Sequence, residues 1–233
     1  MNDAKIDWSS IRLVAFDVDG TLYDQKAMRL RMLREIAGNV VETRSLTALR
    51  VLHTYRRLRE SAGDDEIPGF EDVLIARTAE ANGVDPATVR AIVAEWMEKR
   101  PLAHIRAFRY PNIVELFSVL KLKGKTIGIF SDYPALDKLS AMGLAADHVV
   151  AAGDANVGIL KPHPRGLEVL MKAAGASPNE TILIGDRIER DGAAARRAGA
   201  TALIRSARPL DGWLHFSTYS DALFAPLFDR SSR

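Results

Sequence analysis

Residues 13–22 read LVAFDVDGTL, in which four apolar residues are followed at once by two aspartates at alternate positions and a glycine. Similar apolar runs occur at residues 127–130, 149–152, 182–184 and 202–204. None of them alternates apolar with polar side chains, which is typical of parallel strands covered on both faces. The runs therefore predict the strands of one open sheet.

Helical patterns separate most of these runs. Residues 111–123 carry apolar side chains at helical spacing and end at Gly124, and residues 167–174 and 192–198 also have a helical pattern. Strands that alternate with helices predict an α/β fold with a Rossmann-like open parallel sheet.

The segment between residues 25 and 107 is different, because it contains no convincing strand. Its pattern predicts four helices, near residues 26–41, 46–61, 70–82 and 86–99. We therefore predict an all-helical insert at 25–107, placed directly after the first strand, and a core formed by residues 1–24 and 108–233.

Composition narrows the possible functions. The 233 residues are 47% hydrophobic and 27% charged, close to globular averages, so we expect a compact soluble chain. The absence of cysteine excludes disulfides, thiolate nucleophiles and cysteine-type zinc sites. A formal net charge of +2, with basic and acidic residues interspersed, gives no reason to expect a nucleic-acid partner.

The predicted location is the cytoplasm. Residues 1–10 lack the apolar core of a secretory signal, and the longest apolar runs have strand length, so no membrane partner is expected. The pattern leaves the oligomeric state open.

Carboxylates and hydroxyls follow the predicted strands at the points where the strands end. Because the carboxyl ends of parallel strands meet at one edge of a sheet, where ligands bind, these side chains should converge. They are Asp17, Asp19, Ser131, Asp132, Asp186 and, one helical turn later, Asp191. Lys161, in the sequence LKPHP, is a lone cation just before a predicted helix.

Converging carboxylates repel one another unless a cation neutralises them, and hard oxygen ligands of this kind suit Mg²⁺. A metal, a lysine and a hydroxyl can together hold a phosphoryl group. A facing carboxylate can then displace the leaving alcohol through an aspartyl-phosphate, while a second aspartate serves as general acid.

These motifs, DxDGT, then Ser, then Lys, then GDxxxxD, resemble the haloacid dehalogenase-like hydrolase superfamily in content and order. The resemblance covers essentially the whole chain and implies a Rossmann-like core. It also implies a helical cap inserted after the first motif, and residues 25–107 are called the cap from here on. The stretch between Asp132 and Lys161 is too short for the larger α/β cap of other subgroups.

The resemblance implies a role for each motif residue. Asp17 would be the nucleophile and a Mg²⁺ ligand, and Asp19 the acid/base, whose backbone carbonyl also binds the metal. Thr21 would support the loop and help to bind substrate. Phosphoryl oxygens would contact Ser131 and Lys161. The remaining implied metal ligands are Asp186 and Asp191, the latter acting through water.

One position departs from the family pattern. Many relatives carry asparagine where this chain has Asp132, which puts an extra negative charge beside the predicted phosphate site. We expect the Ser131 role to be unaffected and Asp132 to border the substrate.

These features favour a Mg²⁺-dependent phosphatase that hydrolyses a small phosphorylated metabolite. Two alternatives stay open at this point: a phosphomutase with the same catalytic residues, and a non-catalytic regulator that binds a phosphorylated ligand. Dehalogenation and phosphonate cleavage are disfavoured, because those branches lack the acid/base that Asp19 would supply.

Residues outside the motifs receive no functional assignment from the sequence. The cap arginines lie on amphipathic helices, where arginine usually faces solvent. Trp96 and Met97 are expected in the interior of the cap.

Overall fold

The structure is a computed structural model and describes residues 6–229. Its six strands form one parallel sheet in the order β3-β2-β1-β4-β5-β6. The strands are β1 (Leu13–Phe16), β2 (Thr126–Ser131), β3 (His148–Ala151), β4 (Thr181–Gly185), β5 (Thr201–Arg205) and β6 (Leu214–Phe216). The predicted α/β class with an open parallel sheet is confirmed.

Helices fill the connections. They are α1 (Gln25–Thr43), α2 (Thr47–Asp64), α3 (Phe70–Asn82), α4 (Pro86–Val93), α5 (Leu102–Phe108), α6 (Ile113–Leu122), α7 (Leu136–Met142), α8 (Arg165–Ala174), α9 (Ala193–Arg197) and α10 (Ala225–Phe228). Short π-helical segments lie at Ala94–Lys99 and Ile188–Gly192, and 3₁₀ turns lie at Pro178–Glu180 and Ala222–Phe224. Among residues 6–229, no helix has the length and hydropathy needed to cross a membrane.

The burial of the central strand β1 explains why apolar and polar residues do not alternate in its sequence. All four residues of β1 are fully buried. Val14 and Phe16 belong to the apolar cluster that includes residues of α6, whereas Leu13 and Ala15 belong to the cluster that includes residues of α8 and α9. Both faces of the strand are therefore covered, which requires apolar residues at every position.

Register brings three strand ends to the same edge. Phe16, the last residue of β1, lies opposite Ile129 of β2 and Ile184 of β4. The residues that follow these strands therefore emerge side by side, as expected for the ligand-binding edge of an open α/β sheet.

The cap consists of helices joined by short loops, and side chains or glycine cap several of the helix ends. Asp24 caps α1 by accepting a hydrogen bond from the Ala27 N–H at 3.0 Å, and Asp85 caps α4 by accepting from the Thr88 N–H at 2.8 Å. Gly83 ends α3 in the left-handed conformation, at φ 63°.

The cap packs on the core through two apolar clusters. Residues of α2, α3 and α4, among them Phe70, form one buried cluster together with Ala152 and Leu160 of the core. Met28 of α1 and Ile105 of α5 belong instead to the main cluster on the α6 side of the sheet. The division into a core and a cap at residues 25 and 107 stays a prediction.

The two chain segments that join cap and core run side by side. Tyr23 pairs with Arg109 in an antiparallel bridge. The Asp24 N–H donates to the Phe108 carbonyl at 2.9 Å, and the Tyr110 N–H donates to the Leu22 carbonyl at 3.0 Å. These backbone bonds make the two connectors one short ribbon.

Four short elements were not predicted from the sequence, and one of them is the four-residue helix α10. Strand β6 has only three residues and includes a histidine, and it pairs with β5 at the edge of the sheet. Helices α5 and α7 have seven residues each and pack against each other. Elements of this length have too little periodicity to be recognised, because packing rather than local pattern stabilises them.

Candidate active site

Asp17 lies at the centre of the candidate site. It follows β1 directly, and its N–H donates to the Ile184 carbonyl at 2.8 Å, which extends the pairing with β4. Its carboxylate accepts hydrogen bonds from Lys161 Nζ at 2.6 Å and from the Thr21 hydroxyl at 3.1 Å. Asp17, Thr21 and Lys161 are all buried.

Lys161 joins two of the predicted site carboxylates. Its ammonium group donates to Asp17 Oδ1 and to Asp191 Oδ1, both at 2.6 Å. Burial opposes the charge on this lysine, but the two carboxylates outweigh burial and hold its pKa well above the ordinary value. The lysine is therefore a fixed positive charge beside Asp17.

Three acidic residues form a group that could hold a cation. Asp17, Asp186 and Asp191 each offer one oxygen, and these oxygens lie within 4.8 Å of one another. Asp186 Oδ1 is buried and has no hydrogen-bond partner among residues 6–229. An oxygen-only donor set with an unsatisfied buried oxygen fits a hard divalent cation such as Mg²⁺.

The acidity of this group points the same way. Burial, followed by the charge of Asp191, raises the pKa of Asp186 to about 7. Burial also raises the pKa of Asp17 well above its usual value, in spite of Lys161. Burial and mutual repulsion make it unfavourable for these carboxylates to be ionised at the same time. A bound cation would stabilise their charged forms.

Close packing at the strand edge explains the glycine of the first motif. Gly20 has φ of 95°, and a Cβ there would lie 2.3 Å from Asp186 Oδ2. Asp191 closes the facing loop, because its Oδ2 accepts from the N–H groups of Asp186 at 3.2 Å and Arg187 at 3.1 Å. Asp191 thus orders the loop as well as contacting Lys161.

The side chain of Asp19 does not join the acidic group. Its carboxylate accepts from Lys138 Nζ at 2.7 and 2.8 Å, and Tyr23 donates its hydroxyl to the same carboxylate. Burial alone would raise the pKa of this carboxyl, but Lys138 and Tyr23 hold it below the usual value. The two aspartates of the first motif therefore have different environments, and a metal role for Asp19 is confined to its backbone carbonyl.

Sequence reasoning missed Lys138 and Tyr23. Lys138 is only 5% exposed and lies on α7 between Ala135 and Met142, which are also buried. The available signal in the sequence was a lysine on the helix face that Ala135 and Met142 make apolar. Tyr23 carries no such signal, because it lies in a connector whose pairing depends on the tertiary structure.

The second motif supplies Ser131 at the end of β2. Ser131 is fully buried, and its Oγ accepts from the Tyr133 N–H at 3.2 Å, which leaves the hydroxyl hydrogen to donate elsewhere. Asp132 Oδ1 accepts from the Lys161 N–H at 3.1 Å. Asp132, the residue that departs from the family pattern, therefore links the loop that carries Lys161 to the end of β2.

The cap reaches this motif through Arg59 of α2. Arg59 is 5% exposed, its guanidinium lies 4.1 Å from the Tyr133 ring centroid and 4.8 Å from that of Phe70, and its Nη2 donates to the Asp132 carbonyl. This buried stacked cation differs from the solvent-facing arginine that the sequence pattern suggests.

Two further arginines connect α2 with the loop of the fourth motif. Arg187 donates from both Nη atoms to Glu60, each at 3.0 Å. Arg190 is buried; it donates to Asp64 Oδ1 at 2.7 Å and to the Lys161 carbonyl at 2.8 Å. We call Glu60–Arg187 and Asp64–Arg190 the cap–core ion pairs.

The predicted site residues therefore lie together. One cavity between cap and core is bordered by Asp17, Asp19, Asp132, Lys161, Asp186 and Asp191 on the core side and by Arg29, Arg59 and Glu60 on the cap side. Thr21 and Ser131 lie behind this surface, bonded to Asp17 and to the Tyr133 N–H. The chemical roles of these residues stay predictions.

The fold and this arrangement define the class of protein. A family model described as haloacid dehalogenase-like hydrolase matches residues 11–199, which include all four motifs. Because this match spans well over half of the chain, the chain belongs to the haloacid dehalogenase-like hydrolases. The resemblance seen in the sequence and the expectation of a hydrolase are confirmed.

Named relatives support the same placement. A glyceraldehyde 3-phosphate phosphatase of Methanopyrus kandleri is 27% identical over 209 residues, covering 86% of this chain and 87% of the relative. A phosphoglycolate phosphatase of Escherichia coli K12 is 26% identical over 221 residues, covering 84% and 81%.

Solved structures share the fold. The 2-haloacid dehalogenase of Pseudomonas syringae superposes with a TM-score of 0.66 at 20% identity, covering 94% of this chain and 98% of that one. YfnB of Bacillus subtilis, solved bound to magnesium, superposes with a TM-score of 0.68 at 15% identity, covering 94% and 99%. At such identities the likeness shows the fold alone.

Proposed function

We propose that this protein is a Mg²⁺-dependent phosphatase that hydrolyses a small phosphate monoester through an aspartyl-phosphate on Asp17. The observation that carries the proposal is the contrast between the two aspartates of the first motif. Asp17 lies against Lys161 and the acidic group, as a nucleophile facing a phosphoryl group requires. Asp19 lies two residues away, on the side of Lys138, where a leaving group would depart.

In the first step, an oxygen of Asp17 attacks phosphorus and the bond from phosphorus to the ester oxygen breaks. Lys161 and the Ser131 hydroxyl stabilise the charge on the phosphoryl oxygens. Asp19 must take up a proton before this step, because Lys138 and Tyr23 hold its pKa below the usual value. It gives that proton to the departing oxygen, and the alcohol leaves.

In the second step, water attacks the phosphorus of the aspartyl-phosphate. Asp19, now ionised, accepts the proton from that water, and the bond from phosphorus to the Asp17 oxygen breaks. Inorganic phosphate leaves and both aspartates regain their starting state. Lys138 and Tyr23 fix the Asp19 carboxylate in one orientation for both proton transfers.

Asp17, Asp186 and the backbone carbonyl of Asp19 would hold Mg²⁺, with Asp191 acting through water. When bound, the ion would neutralise phosphoryl charge and screen Asp17 from the approaching anion. The oxygen-only donor set and the orphaned Asp186 Oδ1 support this choice, as does the magnesium in the structure of YfnB.

The cap is proposed to be a unit that closes over the site and opens to release product, by bending at the paired connectors. The paired connectors, which join the cap to the core as one short ribbon, support a division at residues 25 and 107. The structure of YfnB, described as revealing interdomain movement, supports the motion.

Phosphate esters are favoured over halogenated acids because Asp19 supplies a proton that halide departure does not need. Two relatives carry the names of phosphatases of small phosphorylated metabolites, which supports the same class. A cytoplasmic setting, predicted from the sequence, is part of the proposal and can be tested by cell fractionation.

The test is a screen of phosphorylated metabolites with and without Mg²⁺, with product identified as well as phosphate measured. Release of inorganic phosphate that requires Mg²⁺ is expected. An isomerised phosphate ester instead of free phosphate would indicate a phosphomutase. Binding without turnover in every case would indicate a regulator.

A further inference from the structure

A second cavity adjoins the candidate active site on the side of Asp19. Asp19, Arg29 and Tyr133 border both cavities, so the two are neighbours across the Asp19 carboxylate. In the proposed mechanism Asp19 protonates the leaving oxygen, which places the leaving group on this side. The second cavity is therefore where the alcohol part of the substrate would lie, an assignment that rests on the proposed function.

The charges that border this second cavity do not balance. Three cationic side chains face it, Arg29 from α1, Arg56 from α2 and Lys138 from α7, against a single carboxylate, that of Asp19. Lys138 is fully engaged with Asp19. The two guanidinium groups are thus left without an acidic partner in the cavity that they share.

Arg29 and Arg56 are exposed, as surface arginines usually are, but their surroundings differ from those of Arg31. Arg31, on the same helix as Arg29, pairs with Glu35 at 3.3 Å along the helix surface. Arg29 and Arg56 come from two different helices and border the same concave surface. Bringing like charges together costs free energy unless an anion binds between them, and guanidinium groups suit carboxylate and phosphate.

Apolar side chains form one wall of this cavity. Met28, Met32 and Trp96 line the cavity beside the arginines, and Trp96 lies in the π-helical segment of the cap. Such a wall fits a short carbon skeleton between the ester oxygen at Asp19 and an anionic group at the arginines.

We propose that Arg29 and Arg56 form an anion subsite for the leaving group. The substrate is then a phosphate monoester whose alcohol carries a second anionic group, a carboxylate or a second phosphate. Arg29 and Arg56 determine specificity by binding that group, without taking part in the phosphoryl transfer.

The experiment compares substrates that differ only in the second charge. Propyl phosphate is paired with 3-phosphooxypropanoate and with propane-1,3-diol bisphosphate, and longer homologues extend each series. The kcat/KM ratio of charged to uncharged substrate is measured for the wild type, Arg29→Met and Arg56→Met. Arg57→Met is the matched control, because Arg57 is an exposed residue of the same helix as Arg56 and borders neither cavity.

The wild-type ratio should reach about tenfold or more, since a hydrogen bond to a charged group is commonly worth that factor. Arg29→Met and Arg56→Met should each lose most of the ratio, mainly through KM, whereas Arg57→Met should keep it. The series with the larger ratio identifies the second group as carboxylate or phosphate.

Calorimetric binding of the matching phosphonates gives the same ratio without turnover. A preference for charged phosphonates that depends on both arginines, but with no ester hydrolysed, would support the subsite and reject the phosphatase. Equal binding and turnover of charged and uncharged compounds in the wild type would overturn the subsite and leave the phosphatase standing. A ratio retained in both Met variants would overturn it too.

Discussion

Lys138 donates hydrogen bonds to both carboxylate oxygens of Asp19, at 2.7 and 2.8 Å, with its side chain 6% exposed and that of Asp19 12% exposed. A buried ammonium beside a carboxylate stabilises the ionised form, so Lys138 lowers the pKa of Asp19. The protonation state of the proposed acid/base is therefore governed by a residue of the core helix α7.

Replacing Lys138 with methionine should move the pH dependence of activity. Removing the cation removes the stabilisation of the Asp19 anion, so its pKa rises and the limb of the kcat/KM profile that it governs moves to higher pH. The variant should also lose stability, since breaking a buried ion pair typically costs about 3–5 kcal/mol. A pH–rate profile on the folded protein measures the shift.

Lys138→Arg is the control for this prediction, because it keeps the positive charge. In Lys138→Arg, the limb of the kcat/KM profile that Asp19 governs should stay near its pH in the wild type. A limb at the same pH in Lys138→Met as in the wild type would show that Lys138 does not set the protonation of Asp19.

Asp17→Asn and Asp19→Asn should fail at different steps. Asp17→Asn has no nucleophile and should form no phosphoenzyme. Asp19→Asn should be slowed by about 10²–10⁴, the usual contribution of general acid–base catalysis. It should accumulate phosphoenzyme with nitrophenyl phosphate, whose leaving group needs little protonation. Rapid-quench labelling and peptide mapping distinguish the two.

Phosphate mapped to Asp19 or Ser131 instead of Asp17 would contradict the mechanism. Asp72→Asn, an exposed carboxylate of the cap, serves as the control and should behave as the wild type in the same labelling experiment.

Mg²⁺ should stabilise the folded protein, independently of activity. A ligand at one hundred times its Kd adds about 2.7 kcal/mol, which for a chain of this size raises Tm by about 5–10 °C. Asp186→Asn should lose most of that increase, because it removes a ligand. In the metal-free state at pH 8 this variant should melt higher than the wild type, because one of the repelling carboxylates is gone.

Thermal unfolding with Mg²⁺ and with a chelator tests this prediction. Asp72→Asn should show the full Mg²⁺-dependent increase. An equal increase in Asp186→Asn and the wild type, or full turnover after exhaustive chelation, would remove Asp186 or Mg²⁺ from the proposal.

Breaking the cap–core ion pairs should loosen the contact between α2 and the loop of the fourth motif. The Glu60–Arg187 pair is exposed and should contribute only about 0–1 kcal/mol. Arg190 is buried and loses both of its carboxylates in Glu60→Gln with Asp64→Asn, so the double variant should cost more, up to about 3–5 kcal/mol. Amide hydrogen exchange should accelerate in residues 187–197 and in α2. High salt should reduce the difference between variant and wild type, because it screens exposed charges.

Asp72→Asn again provides the comparison, since it breaks the 2.9 Å ion pair with Arg90 inside the cap. Its exchange in residues 187–197 should match that of the wild type. Two results would show that the cap–core ion pairs do not hold cap and core together. One is faster exchange of residues 187–197 in Asp72→Asn, and the other is exchange in the double variant that is no faster than in the wild type.

The amino-acid sequence by itself determined five of the six strands and which motif residues meet at the edge of the sheet. Strands β1 to β5 are visible as uninterrupted apolar runs, because a strand buried on both faces needs apolar residues at each position. Asp17, Ser131 and Asp186 were predicted to meet because the ends of parallel strands share one edge. That inference needs only local pattern and chain order.

Only the tertiary structure decided which side chains surround those residues. Lys138 and Asp19 are 119 positions apart, and Arg59 lies 73 positions from the Asp132 carbonyl that it contacts. Arg29 and Arg56 border one cavity only because α1 and α2 of the cap lie as they do above the core. No local pattern encodes such pairings, since they depend on the long-range packing of the cap and of short helices such as α7 against the sheet.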